Sequence, residues 1–187
     1  NAAAFEAREL RRQRTPLLPL IEEQIEAQRL QWQANGLTVR AEGEPLALVV
    51  DPVKLGTALA NLLSNAIRYS ARGGTITLSV SSTPDTALID IQDAGPGIAE
   101  GDRDRVFEPF YRGERQPEHA VKGTGIGLSI VQEYIAAHGG RITLLPEGPG
   151  ARFRIELPRS TCPALLAHSS THVPVSDRSQ TRPGHDA

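Results

Sequence analysis

Methionine is absent from the 187 residues, cysteine occurs once, and aromatic side chains make up only 4%. The lone Cys162 excludes an internal disulfide and fits a reducing compartment. A net charge of −2 leaves no overall basic field to attract nucleic acid or an anionic membrane, so no nucleic-acid partner is expected. No run of about 18 apolar residues exists, so no segment of this sequence is a candidate bilayer-spanning helix. There is no signal peptide, and the chain starts at Asn1 rather than methionine, as expected of a piece of a longer protein. Internal repeats are also missing. Lysine is nearly absent too: 18 of the 20 basic residues are arginines, a compositional bias rather than a function. With aromatics scarce and 39% apolar residues, any core has to be built from Leu, Ile, Val and Ala.

What is present reads as one domain with appendages. Residues 1–14 are rich in Ala, Glu and Arg and are expected to form the tail of a longer helix or a linker. Thr15-Pro16 then reads as an N-cap with proline at the first helical position. A helix over 17–34 follows from the apolar spacing of Leu17, Leu18, Ile21, Ile25 and Trp32, capped by Gly36. Strands are expected at 37–41 and 46–50. Asp51-Pro52 opens a helix to about Tyr69, with Leu55, Leu59, Leu62, Leu63, Ala66 and Ile67 on its apolar face. Alternating strands are expected at 75–82, 86–92, 141–145 and 151–157, with a helix over 128–138. From position 159 the pattern dissolves into Ser, Thr, Pro, His and charge, so 159–187 is expected to be a disordered tail. The fold class is α+β: a two-layer sandwich with a mixed sheet of about five strands and helices on one face.

Three segments carry chemistry. In Val121-Lys122-Gly123-Thr124-Gly125-Ile126-Gly127-Leu128, alternate glycines precede a helix whose N-terminal N–H groups and dipole favour phosphate. The spacing is neither that of a dinucleotide-binding loop nor that of a P-loop, and an ordinary surface turn has the same composition. In Asn61-Leu62-Leu63-Ser64-Asn65-Ala66-Ile67-Arg68-Tyr69, two poor helix formers stand four apart on one helical face. Their carboxamide oxygens can ligate a hard cation such as Mg²⁺, and Arg68 and Tyr69 add a phosphate fork and a stacking ring. A wet helix face is the alternative. Asp93-Ala94-Gly95-Pro96-Gly97-Ile98 follows a strand, and its carboxylate can accept from an exocyclic amine; a plain Asp-x-Gly turn reads the same way.

Taken together and in this order, with Phe107-Glu108-Pro109-Phe110-Tyr111-Arg112 between the last two, these boxes resemble the catalytic ATP-binding domain of sensor histidine kinases. That domain is a Bergerat fold of the ATPase and kinase superfamily shared with DNA gyrase, MutL and the large heat-shock chaperones. The resemblance covers about 37–158, and it places a kinase domain at 15–158. It implies ATP and Mg²⁺ as ligands. Asn65 matches the Mg²⁺ ligand, with Asn61 beside it, and Arg68 and Tyr69 match phosphate and nucleotide contacts. Asp93 matches the carboxylate that accepts from adenine N6, in a pocket shaped by Gly95, Gly97 and Ile98. Residues 107–112 resemble the phenylalanine box, and 111–122 the ATP lid, expected to be mobile without nucleotide. Arg112 and Lys122 are its candidate phosphate contacts. Gly123, Thr124, Gly125, Ile126, Gly127 and Leu128 match the second glycine box. Asn65, Arg68 and Lys122 are the residues expected to carry phosphoryl transfer.

Two departures refine the resemblance. ATP-hydrolysing members carry a glutamate four residues before the magnesium asparagine. Here that position is Asn61, whose carboxamide takes no proton at neutral pH. The pattern therefore implies a kinase rather than an ATPase. Second, none of the five histidines lies in an upstream amphipathic helix, so the phosphoacceptor is expected on a separate dimerisation hairpin. The resemblance further implies a response-regulator partner, a homodimeric, membrane-anchored parent and a cytoplasmic location for this domain. An anti-sigma-factor-type serine kinase and a nucleotide-sensing scaffold share the fold and are the alternatives.

Overall fold

A computed structural model describes residues 9–93, 127–145 and 150–159. The expected helix over the first fourteen residues is not what forms at its described end. Gln13–Pro16 is a strand, β1, paired antiparallel with β3 (Ala47–Val50). Pro16 supplies the reason: its ring disfavours helical backbone at the preceding residue and pushes Thr15 into extended geometry. Arg12 Nη1 then donates to Val49 O at 3.3 Å, adding a side-chain tie beside the ladder.

Helix α1 (Leu17–Ala27) begins at the expected residue, but Pro16 rather than Thr15 is at the N-cap, with no side-chain cap. The expected single helix to position 34 is broken at Gln28, whose φ of −110° and ψ of 16° lie outside helical values, and α2 (Arg29–Ala34) follows. Three hydrogen bonds account for the break. Gln28 N and Trp32 Nε1 both donate to Ile25 O, at 3.3 and 3.0 Å, and Gln28 Nε2 reaches Ala60 O at 2.9 Å. Gly36 closes α2 as expected. At φ 66° it donates to Gln33 O, and Leu37 N donates to Trp32 O, the paired bonds of a Schellman cap.

Strand β2 (Thr38–Gly43) precedes β3, and α3 (Pro52–Tyr69) starts where Asp51-Pro52 predicts. Asp51 Oδ1 accepts from Val53 N at 3.0 Å and Lys54 N at 3.1 Å, and proline occupies the first helical position. After α3 come β4 (Thr75–Ser82), β5 (Thr86–Gln92), α4 (Gly127–Ala137), β6 (Arg141–Leu145) and β7 (Arg152–Pro158). The main sheet has the order β2-β4-β5-β7-β6, with β2 and β4 parallel and the remaining neighbours antiparallel.

Alternation along each strand sends Ile76, Leu78 and Val80, then Ala87, Ile89 and Ile91, then Phe153, Ile155 and Leu157 into one core. The helices cover that face. Helix α3 packs against both α1 and α4 and also contacts β5, so Leu55, Leu59, Leu62, Leu63 and Ile67 are buried between layers. The opposite sheet face is polar. There Asp90 is buried beneath Arg152 and Arg154, at 2.7 and 2.8 Å, and Arg141 pairs with Glu156. The expected two-layer α+β sandwich with a mixed five-stranded sheet is what forms. The tail from 160 onward and residues 146–149 lie outside the described residues.

Candidate functional site

Helix α3 supplies the first part of the site. Its amphipathic register buries Leu62, Leu63, Ala66 and Ile67, which leaves Asn61, Asn65 and Arg68 half-buried at the margin of the apolar face. Among the described residues, no protein group engages either carboxamide. Arg68 lies with its guanidinium carbon 6.0 Å from the centroid of the Tyr69 ring and makes no ion pair among the described residues. The Arg68 guanidinium can thus meet an anion without breaking an ion pair among the described residues.

Strand β5 supplies the second part. Asp93 immediately follows it and is only 5% exposed. Its backbone N donates to Ala151 O at 3.0 Å, and its Oδ1 accepts from Ala151 N at 3.0 Å. Asp93 is therefore a buried carboxylate held at a strand end, not an exposed turn residue. Helix α3, which carries Asn65, contacts both β5, which ends one residue before Asp93, and α4, which carries Leu128. Leu128 is half-buried against the core at the start of α4, which begins at Gly127. Gly95, Gly97, Ile98, Arg112, Lys122, Gly123, Thr124, Gly125 and Ile126 lie outside the described residues, as do the 107–112 box and the lid.

The donor chemistry fits a magnesium nucleotide. Among the described residues no group of three His, Cys, Asp or Glu side chains could hold a metal alone. A divalent ion at Asn65 would need anionic oxygens from a ligand, as Mg²⁺ takes from a triphosphate. A cavity of about 730 Å³ is lined by Glu9, Leu10, Arg11, Gln13 and residues 51–54. It sits where the N-terminal segment meets α3, and neither Asn65 nor Asp93 lines it.

A model of the histidine kinase-, DNA gyrase B- and HSP90-like ATPase family matches residues 50–161. The chain belongs to that family. Within it, the chain is a catalytic ATP-binding domain of the histidine kinase type. It is 37% identical over 145 residues to the sensor histidine kinase GlrK of Escherichia coli K12, a match covering 77% of this chain and 30% of GlrK. The mycobacterial sensor histidine kinase MprB superposes with a TM-score of 0.70 at 29% identity, over 78% of this chain and 97% of that one. Full-length ShkA in complex with AMPPNP superposes at 0.70 with 28% identity, over 82% of this chain and 32% of ShkA. The chain thus spans 13% to 30% of the length of the curated relatives it matches.

Two features of the kinase domain escaped sequence reasoning. The Ala151 contact to Asp93 depends on the β5–β7 register, which no local pattern encodes. The second is His138, placed by its sequence only at a helix end. It is 1% exposed: Nε2 accepts from Asp51 N at 3.0 Å, while Nδ1–H donates to Tyr134 O at 2.7 Å. Burial holds its pKa below the ordinary imidazole range. The Tyr134 carbonyl and Asp51 act the other way, and the charges of Arg12 and Lys54 add to the depression. Among the described residues, no helix is long and apolar enough to cross a membrane.

Proposed function

We propose that this domain binds Mg·ATP and presents the γ-phosphoryl group to a histidine on a separate helical hairpin. The observation that carries the reading is Asn61, half-buried one turn before Asn65 on the same margin of α3. A carboxamide there cannot deprotonate water, so the site is furnished for phosphoryl transfer to another nucleophile rather than hydrolysis.

Each residue has a role in this reading. Asp93 accepts from adenine N6, and its burial makes that hydrogen bond discriminating. Asn65 offers a carboxamide oxygen to Mg²⁺, with Asn61 beside it. Arg68 contacts phosphate and Tyr69 the nucleotide. From outside the described residues, Gly95, Gly97 and Ile98 line the adenine pocket, Arg112 and Lys122 neutralise phosphate from the lid, and residues 123–128 hold the lid's end. Bound Mg²⁺ supplies charge neutralisation at the phosphates. In the transfer, the bond between the γ-phosphorus and the bridging oxygen breaks, ADP leaves with that electron pair, and a phosphorus–nitrogen bond forms on the acceptor imidazole. The phosphoryl group then passes to a response-regulator aspartate. The parent is proposed to be a membrane-anchored homodimer with this domain in the cytoplasm.

Transfer of labelled γ-phosphate tests the reading. The chain alone is expected to show neither autophosphorylation nor appreciable ATP turnover, and adding the parent's hairpin in trans restores labelling of its histidine. Brisk ATP hydrolysis by the chain alone would place it in the ATPase branch.

A further inference from the structure

We infer that Gly150 is a positioning residue for the Asp93 carboxylate and thereby for recognition of the 6-amino group of the purine. The inference rests on the reading of Asp93 as the adenine acceptor.

The β5–β7 register pairs Gln92 with Arg152, which sets Asp93 opposite Ala151. Asp93 N donates to Ala151 O at 3.0 Å, so this is a hydrogen-bonded pair of the antiparallel ladder. In such a pair the return bond runs from Ala151 N to the Asp93 backbone carbonyl. Here Ala151 N donates to Asp93 Oδ1 instead, at 3.0 Å. The carboxylate has intercepted a ladder donor, and one of its oxygens is thereby fixed to the start of β7. A hydrogen bond to an ionised oxygen is stronger than one to a neutral carbonyl, which favours the exchange.

Gly150 makes room for this arrangement. A Cβ added at position 150 would lie 2.3 Å from Asp93 O and 2.8 Å from Asp93 Oδ1. The nearer atom is backbone, which cannot swing aside as a flexible side chain could. Any side chain at 150 therefore has to displace the Asp93 carbonyl, rotate its carboxylate, or lift the 150–151 backbone off the strand. Each outcome moves the carboxylate. Gly150 touches Asp93 and acts on the nucleotide only through it. Gly150 thus helps set the direction of a buried carboxylate across the β5–β7 register.

The experiment compares ATP with inosine triphosphate, which carries a carbonyl where adenine carries the amine, by calorimetry on the 187-residue chain. The unaltered protein is expected to favour ATP by about tenfold or more. Gly150→Ala should lose about tenfold in ATP affinity while inosine triphosphate changes by less than about twofold, so that selectivity collapses. Equal losses for both nucleotides, or none, would show a purely structural glycine and overturn the inference. Asp93→Asn separates the two layers. If that variant keeps the preference, the adenine role of Asp93 fails; if it loses the preference and Gly150→Ala does not, only the positioning role fails. Should Gly150→Ala not fold, the Ala151 amide resonance of the unaltered protein decides. ATP must shift it more than inosine triphosphate does, and equal responses overturn the inference.

Discussion

Replacing His138 by phenylalanine should remove both of its ring hydrogen bonds while nearly conserving volume. The structure sets the magnitude. The Asp51 N–H loses the acceptor that meets it at 3.0 Å in a buried position, a loss of about 1–3 kcal/mol for an unsatisfied donor. The 2.7 Å bond to Tyr134 O is lost as well, worth about 0.5–1.5 kcal/mol. The sum is about 1.5–4.5 kcal/mol, and with a urea slope of about 2 kcal/mol per molar the midpoint falls by about 0.8–2.2 M at pH 7.5. The effect also has a pH signature. The folded-state pKa of His138 is depressed, so the unfolded chain binds the proton more tightly. Its contribution is complete above the ordinary imidazole value of about 6.5 and is lost as pH falls through the lower folded value.

The variant lacks this titration, so the stability gap between the two proteins should narrow from pH 7.5 to 5. Asp51 does not confuse that window. Burial opposes its charge, but the N–H groups of Arg11, Lys54 and Val53, with the Lys54 ammonium, hold its pKa below the ordinary carboxylate range. The other four histidines are common to both proteins and cancel in the difference. Urea melts at both pH values, read by circular dichroism, measure the gap. A midpoint shift under about 0.3 M, or a gap that holds or widens toward pH 5, refutes the reasoning.

Two further outcomes follow from the packing and the site. Asn65→Ala should abolish the magnesium dependence of ATP binding and phosphoryl transfer to a hairpin supplied in trans, with the melting temperature nearly unchanged because the side chain is only half-buried; calorimetry with and without Mg²⁺ reads this, and retained dependence would refute it. Asp90→Ala should cost about 1–3 kcal/mol at neutral pH by leaving Arg152 and Arg154 without their shared carboxylate. Burial works against the Asp90 charge, yet its bonds to Arg154 and Arg152 lower its pKa, so this contribution is present above about pH 4 and lost on acidification below it, as an acid melt would report.

Much of this protein was legible locally. Asp51-Pro52 caps α3 as its residues demand, because an N-cap needs only a carboxylate and a proline side by side. Gly36 closes a helix because only a left-handed residue completes that pair of bonds. Period-two alternation located β4 and β5 to the residue, since one face of the sheet is buried and the other is not. The boxes around Asn65, Asp93 and Gly125 identified the family because nucleotide chemistry requires particular side chains at particular spacings.

What the sequence could not decide is settled by partners far along the chain. The segment Gln13–Pro16 is a strand rather than a helix because β3 offers it an edge and Pro16 stiffens it. The helix breaks at Gln28 because Trp32 and Gln28 converge on one carbonyl and Ala60 draws the glutamine across. His138 is a buried acceptor because α4 ends against the N-cap of α3, 87 residues earlier. The orientation of Asp93 belongs to β7, whose register with β5 is set by the buried faces of both strands. Spacing along a chain fixes which chemistry is available, but hydrogen-bond partners and close approaches between distant segments exist only once the sheet has chosen its register.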